Sequence, residues 1–446
     1  MDSNSNNGWG NEQKVKSTSC FVKGIATGIT IMLAAFVIIL VANIILTKDY
    51  IETDDREEML HNGGFDSNGN TIPDDKDDDN KVSYDIPDEL AEIFEKAGDI
   101  QDIIEKYYYY DEDMDKLADG IYSGMMDSLG DPYSVYYNEE AFKSMMESTS
   151  GTYCGIGVVV QQDANTKVIT VVNPYEGCPG YEAGIQPGDI VLGADDVDFT
   201  NMDINEAVSY IRGEEGTKVT IHVKRGEEAL DFVLTRKTIE VPTVSYECVE
   251  GNIAHISIDS FDEVTYDQFN DAMKQAEKDG CEGYIFDVRD NGGGLYDTVV
   301  DMLDDLLPKG KIVYTEDKYG NQQTEYSDEA CLDAPIAVLI NGNSASASEI
   351  FAGAIQDYGV GKLFGTTSFG KGIVQSIIPL YDGTAVKVTI SSYFTPNGRN
   401  IHGTGISPDV VVELPQEEEA YENGFLKEEY DTQLKEAVKY IQSELQ

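Results

Sequence analysis

Residues 336–357 read IAVLINGNSASASEIFAGAIQD. A continuous apolar run meets a handful of small polar residues, and a second apolar stretch follows at helical spacing. The first part predicts a buried strand and the last a helix. Ser346 and Glu349 have the S-x-x-E spacing of a capping box, which by itself accounts for them as a well-made helix start. A serine on a strand-to-helix turn is also a place where a nucleophile stands beside helix N-terminal amides that can hold an oxyanion. Outward from this segment, from about residue 241, strands and helices alternate with Gly-rich turns. That alternation predicts an α/β or α+β core.

Two neighbouring segments bear on the serine. In TTSFGKGIVQ, Lys371 stands between Gly370 and Gly372, flanked by Phe369 and Ile373. A surface lysine is the ordinary reading, yet a lysine desolvated by such neighbours loses basicity until it can act as a general base. In DVRDNGGGL, residues 287–295, three consecutive glycines follow an apolar strand and would let backbone amides approach a ligand closely. Alone they mark a turn.

Upstream the period changes. Residues 150–240 hold short β-rich runs (156–160, 168–172, 189–192, 218–223, 232–234) and two short helices, the second ending at Arg212-Gly213. Residues 89–149 are helical in pattern: Leu90, Ile93, Phe94, Ala97, Ile100 and Ile104, then Met114, Leu117, Ile121, Met125 and Leu129, recur every three or four positions. Those stripes predict core faces. After Pro415 the tail, 416–446, is acidic and then helical.

The N-terminus is of another kind. Residues 24–46, GIATGITIMLAAFVIILVANIIL, carry no charge and match the roughly 20 residues that span a bilayer as a helix. Lys14, Lys16 and Lys23 precede the run, and Asp49, Glu52, Asp54 and Asp55 follow it. The positive-inside bias predicts a single-pass anchor in the cell membrane, residues 1–23 cytoplasmic and the rest exported; a cleaved signal peptide is the competing reading, disfavoured by the length of the run and the lack of an A-x-A site after it. Residues 47–88 read as an acidic linker. Within it Asp66, Asn68, Asn70, Asp74 and Asp77 fall at positions 1, 3, 5, 9 and 12 of a stretch resembling calcium loops, although Thr71 replaces the expected glycine. A solvated acidic linker explains the same residues.

Composition narrows the function. With 83 acidic against 31 basic side chains and a net charge of −52, the chain is no nucleic-acid binder. The six cysteines include no C-x-x-C pair, so neither a zinc ribbon nor a thioredoxin-type site is indicated, and no disulfide pairing is fixed. Of the four histidines, His61 lies in the linker, His222 and His255 in predicted strands, and His402 in a Gly-rich loop. Only His402 is a candidate to reach Ser346.

Taken together the motifs resemble the carboxyl-terminal processing (tail-specific) serine proteases, over about residues 88–440. The resemblance rests on GDPYSVYY, STSGTYCGIGVVV, PGDIVLGADD, IRGEEGT, DVRDNGGGL, NSASASEIFAGAIQDYG, SFGKGIVQ, GISPDV and DTQL, in that order. Beyond the transmembrane helix read from the apolar run, it implies a multidomain α/β and α+β chain: helical segment, PDZ domain at 150–240 and protease core at 241–415. It further implies Ser346 as nucleophile, Lys371 as general base and Gln375 as the residue orienting the lysine. The backbone of Ala347 and Gly293 would form the oxyanion hole, and Asp357 would be supportive. The Gly155, Ile156, Gly157, Val158 run would grip a peptide's terminal carboxylate, and Arg212 would couple peptide docking to the protease site. Expected substrates are proteins with accessible, apolar C-termini. The chemistry requires no cofactor, and a structural Ca²⁺ in the linker and a homo-oligomer are left open. A catalytically silent PDZ scaffold is the rival reading, disfavoured by Ser346, Lys371 and Gln375 occurring together.

Overall fold

The computed structural model describes residues 88–422 and 425–446. The predicted anchor at 24–46 and the calcium-like stretch at 66–77 lie outside them. Among the described residues no helix is long and apolar enough to cross a membrane, and no group of three or more His, Cys, Asp or Glu side chains could hold a metal. The chain divides into two compact units, Met1–Glu112 and Asp113–Gln446, so the predicted helical segment 89–149 contributes to both.

In the first unit the described element is the helix Asp88–Tyr107. The second unit begins with the helices Met114–Asp127 and Glu139–Ser150. The stripes expected to be core are not. Ile93 and Phe94 are 61% and 56% exposed, and Met125 and Leu129 are equally open. A 3.6-residue period marks a face fit for burial without specifying what buries it.

A six-stranded antiparallel sheet follows, five strands in the order Val158–Gln162, Ile169–Pro174, Ile190–Ala194, Lys218–Arg225, Glu228–Thr235 and the sixth, Val197–Asp198, paired with Ile190–Ala194. Alternate residues Val219, Ile221 and Val223 point inward with Ile169, Val171 and Leu234, as period-2 strands require. The helices Pro179–Glu182 and Ile204–Ile211 close this core. A pairing the hydrophobic pattern did not announce joins Thr152–Gly155 to Lys237–Glu240 and so ties the entry of the segment to its exit.

Beyond it lies a six-stranded sheet ordered Val244–Val249, Ile253–Ile258, Gly283–Asp287, Ile336–Ile340, Gly361–Gly365, Val410–Val411. The first strand is antiparallel and the others parallel. Strands Gly283–Asp287 and Ile336–Ile340 are buried at every position, because a parallel sheet is covered on both faces. Helices Thr265–Asp279, Tyr296–Leu306 and Ala347–Tyr358 cover one face, with Ile256, Phe286 and Val338 beneath them. The helix Thr432–Glu444 covers the other through Leu434, Ala437 and Ile441 against Ile285 and Leu339. A separate antiparallel sheet is built on Ala385–Phe394, which pairs with Val135–Tyr137, Gly310–Asp317 and Ile373–Pro379. Both predicted core classes are therefore present, one sheet of each.

Candidate active site

Ser346 caps the helix Ala347–Tyr358 at φ 56° and ψ −115°. A non-glycine residue at positive φ costs on the order of 1–3 kcal/mol and persists only where its surroundings over-determine it. Here they do. Its N–H donates to Glu349 Oε2 at 3.0 Å, and its carbonyl accepts the hydroxyl of fully buried Tyr393 at 3.1 Å. Just before it, Ala345 N–H donates to Asn291 O, and Ser344 Oγ donates to Val288 O, fixing the turn to the DVRDNGGG loop.

Glu349 does more than cap. Its side chain is fully buried, and its carboxylate accepts four donors. Oε1 takes Ser368 Oγ at 2.5 Å and Gly370 N–H at 2.7 Å, while Oε2 takes Lys371 N–H at 2.8 Å besides Ser346 N–H. One buried charge thus ties the backbone of the serine to that of the lysine 25 residues on. The S-x-x-E spacing made Glu349 visible in the sequence. That both of its oxygens serve the loop carrying the lysine was not.

Lys371 is half-buried, with Nζ 4.8 Å from the centre of the Tyr133 ring. Phe369, expected to shield it, is 55% exposed; the aromatic neighbour comes instead from the GDPYSVYY segment. Burial first, and the positive charge of Lys387 second, hold the Lys371 amine below the usual lysine range, outweighing Asp131 and Glu349. Gln375 sits after a register shift in strand Ile373–Pro379, a bulge of the kind that re-aims a side chain. Its Nε2 donates to Thr389 Oγ1 at 3.4 Å, and that hydroxyl donates to Asp131 Oδ2 at 2.7 Å. Burial pushes the Asp131 carboxyl up, but the hydroxyls of Ser134 and Thr389 bring it below its ordinary value.

Ser346, Ala347, Lys371 and Gln375 line one cleft of about 500 Å³, together with Gly292, Gly294, Lys387 and Ile373. Gly293 stands behind it. A Cβ there would lie 2.8 Å from Ser346 Cβ and 3.1 Å from Ala347 N, and φ is +107°, so only glycine fits. Its N–H, however, donates to Asn291 Oδ1 at 2.8 Å. The expected oxyanion donor is therefore already engaged, whereas the N–H groups of Ala347, Gly292 and Gly294 have no acceptor among the described residues. Asp357 lies away from the cleft, paired with Arg399 at 2.5 Å and accepting Asn397 N–H. His402 does not line the cleft either. His222 is held by Asp231, and His255 by Glu247 and Asp287.

A second groove of about 470 Å³ runs along Gly155, Ile156, Gly157 and Val158. The carbonyls of Ile156 and Gly157 accept from Gly180 and Tyr175, while their own N–H groups have no partner among the described residues. Arg212 lines this groove, its guanidinium 4.7 Å from the Tyr153 ring and 3.0 Å from Glu147. Burial pushes the Tyr153 hydroxyl up to about 12. Glu147 belongs to helix Glu139–Ser150, whose Ser148 lines both groove and cleft.

Residues 252–412 match peptidase family S41, residues 170–225 a PDZ domain, and residues 57–141 the activating protease CtpB N-terminal domain. The chain is 39% identical over 325 residues to the carboxy-terminal processing protease CtpA of Bacillus subtilis (strain 168), covering 72% of this chain and 69% of that protein. It is 37% identical over 325 residues to a probable CtpA-like serine protease of Staphylococcus aureus (strain N315), covering 72% of this chain and 65% of that one. Among solved structures it is similar to a photosystem II D1 C-terminal processing protease, with 28% identity, a TM-score of 0.41, and coverage of 67% of this chain and 83% of that one.

Proposed function

The chain belongs to peptidase family S41, as a carboxyl-terminal processing serine protease with a PDZ domain, and we propose that it is a membrane-anchored endopeptidase that works by a Ser–Lys mechanism. Lys371, neutral, takes the Ser346 proton as Oγ attacks the scissile carbonyl. Ala347 N–H and an amide of the glycine run stabilise the oxyanion, Gly293 serving only if Asn291 releases its N–H. The lysine then protonates the leaving amine, and an acyl-enzyme remains on Ser346. Water activated by Lys371 hydrolyses it. Gln375 orients the amine, itself held through Thr389 and Asp131. Asp357 acts through Arg399 on the turn that follows strand Ala385–Phe394. The observation that carries this reading is the buried Glu349 carboxylate binding the backbones of Ser346 and Lys371 at once.

Substrates are protein tails, apolar at the end, whose carboxylate meets the free N–H groups of Ile156 and Gly157 while the tail adds as a strand. Residues 24–46 anchor the chain with its catalytic part exported. No cofactor enters the chemistry. A Ca²⁺ ion held by Asp66, Asn68, Asn70, Asp74 and Asp77 would be structural, and calorimetry of the full chain with and without Asp66→Ala decides whether it binds. The proteolytic reading is tested by comparing cleavage of a tailed peptide by the wild type, Ser346→Ala and Lys371→Ala. Loss in both variants with folding retained is expected; cleavage by Lys371→Ala refutes the assignment.

A further inference from the structure

Two thiols that take no part in the cleft meet beside the parallel sheet. Cys248 is exposed on the edge strand Val244–Val249, and Cys281 follows Gly280, the left-handed cap of helix Thr265–Asp279. Their sulfur atoms are 3.6 Å apart although the residues are 33 apart in sequence. Tyr246, on the same edge strand, bridges the two elements as well: its hydroxyl donates to Asp279 at 3.1 Å and lies 3.5 Å from Cys281 Sγ. The strand and the helix end are thus already in register for a cross-link. Sulfur atoms in contact need only a small side-chain rotation to reach bonding distance. Among the other described residues, Cys154 and Cys178 are free and half-buried, and Cys331 is free and exposed.

We propose that Cys248 and Cys281 form a redox-linked disulfide that staples the edge strand to the helix behind it. The oxidant is a low-molecular-weight disulfide such as glutathione disulfide. The exposed Cys248 thiolate attacks it, giving a mixed disulfide on Cys248 and releasing one thiol. The Cys281 thiolate then attacks the Cys248 sulfur, forming the protein disulfide and releasing the second thiol. Two cysteine thiols are oxidised, one reagent disulfide is reduced to two thiols, and the two protons pass to the released thiolates. Burial raises the Cys281 thiol above its ordinary value, with Cys248 adding to it, so the second step quickens as pH rises. The bond would close a loop spanning the edge strand, its neighbour and the helix, and so restrict the unfolded chain. Its occupancy in the cell rests on the exported orientation proposed above, because exported compartments maintain disulfides; the chemistry itself does not.

The test uses the purified full chain, fully reduced and then incubated with glutathione disulfide, quenched with N-ethylmaleimide and digested without reductant. The expected product is one peptide joining Cys248 to Cys281, lighter by two hydrogens than its reduced parts, abolished by dithiothreitol and absent from Cys248→Ser and Cys248→Ala. The oxidised wild type should melt at a higher temperature than the reduced protein, and glutathione disulfide should produce no such rise in Cys281→Ser, where the adduct on Cys248 stays unresolved. Cleavage of a tailed peptide should be equal in the two redox forms. A lasting glutathione adduct on Cys248 with Cys281 alkylated by the quencher, or a cross-link to any other cysteine, overturns the proposal.

Discussion

The backbone of Ser346 is bent into a conformation that an L-residue adopts only under constraint, and Glu349 and Tyr393 supply it. Glu349→Gln keeps the size of the side chain but presents an amide donor to groups that need an acceptor. We expect that change to cost about 1–3 kcal/mol of stability and to lower kcat by more than the stability loss explains, since the serine and lysine loops lose their shared anchor. Equal kcat at full occupancy of the folded state would remove Glu349 from the account. Lys371 gives a second prediction. A lysine accepts a proton only when neutral, and burial with Lys387 lowers its pKa, so kcat/KM should rise with pH along one limb placed below the ordinary lysine value of about 10.4. Removing a cation raises the pKa of its neighbour. Lys387→Met should therefore move that limb to higher pH, and a shift to lower pH contradicts the electrostatics.

At the scale of elements, the DVRDNGGG loop and the C-terminal helix hold one another. Arg289 donates to Asp287 at 2.5 Å, to Asp431 at 2.9 Å and to Gln433 at 3.0 Å, and Asp431 caps the helix Thr432–Glu444. Burial alone would raise Asp287, but His255 and Arg289 pull its carboxyl below the ordinary value. A carboxyl depressed in the folded state lends stability above its unfolded pKa of about 3.9, and that stability is lost as pH falls through the lower folded value. Arg289→Met should leave Asp431 without its ion partner and Asp287 with His255 alone, lowering stability by about 3–5 kcal/mol at neutral pH, with protease nicking in the C-terminal helix before the rest of the fold. This cluster was not legible in the sequence: DVRDN and DTQL were visible as motifs, but nothing in their spacing says that one binds the other. The strands 283–287 and 336–340 were legible because continuous apolar runs fit a doubly covered sheet. The strand Thr152–Gly155 and the bulge before Gln375 were not, since both depend on pairing partners far along the chain. The helical stripes at 90–129 were read as core and are exposed, because periodicity describes a face and not its neighbour.

Over the whole molecule, the groove along residues 155–158 and the cleft are separated by helix Glu139–Ser150, with Arg212 holding that helix through Glu147. If a bound tail is sensed here, substrates ending in a free carboxylate should bind better than the same peptides ending in an amide by about 1.5–3 kcal/mol, roughly tenfold or more in KM. Arg212→Ala should then abolish any rise in kcat that a tailed peptide produces, while its melting temperature stays close to that of the wild type. Unchanged turnover would make the groove a tether and not a sensor. The proposed pairing of Ser346 with Lys371 underlies all of this, and covalent labelling tests it directly. The rate at which a serine-directed phosphonate modifies the full chain, followed by intact mass across pH, should show one adduct on Ser346 and a rate that climbs with the Lys371 limb. It should fall to background in Lys371→Ala and be unaffected in His402→Ala. Labelling that survives Lys371→Ala, or that is lost in His402→Ala, contradicts a Ser–Lys protease.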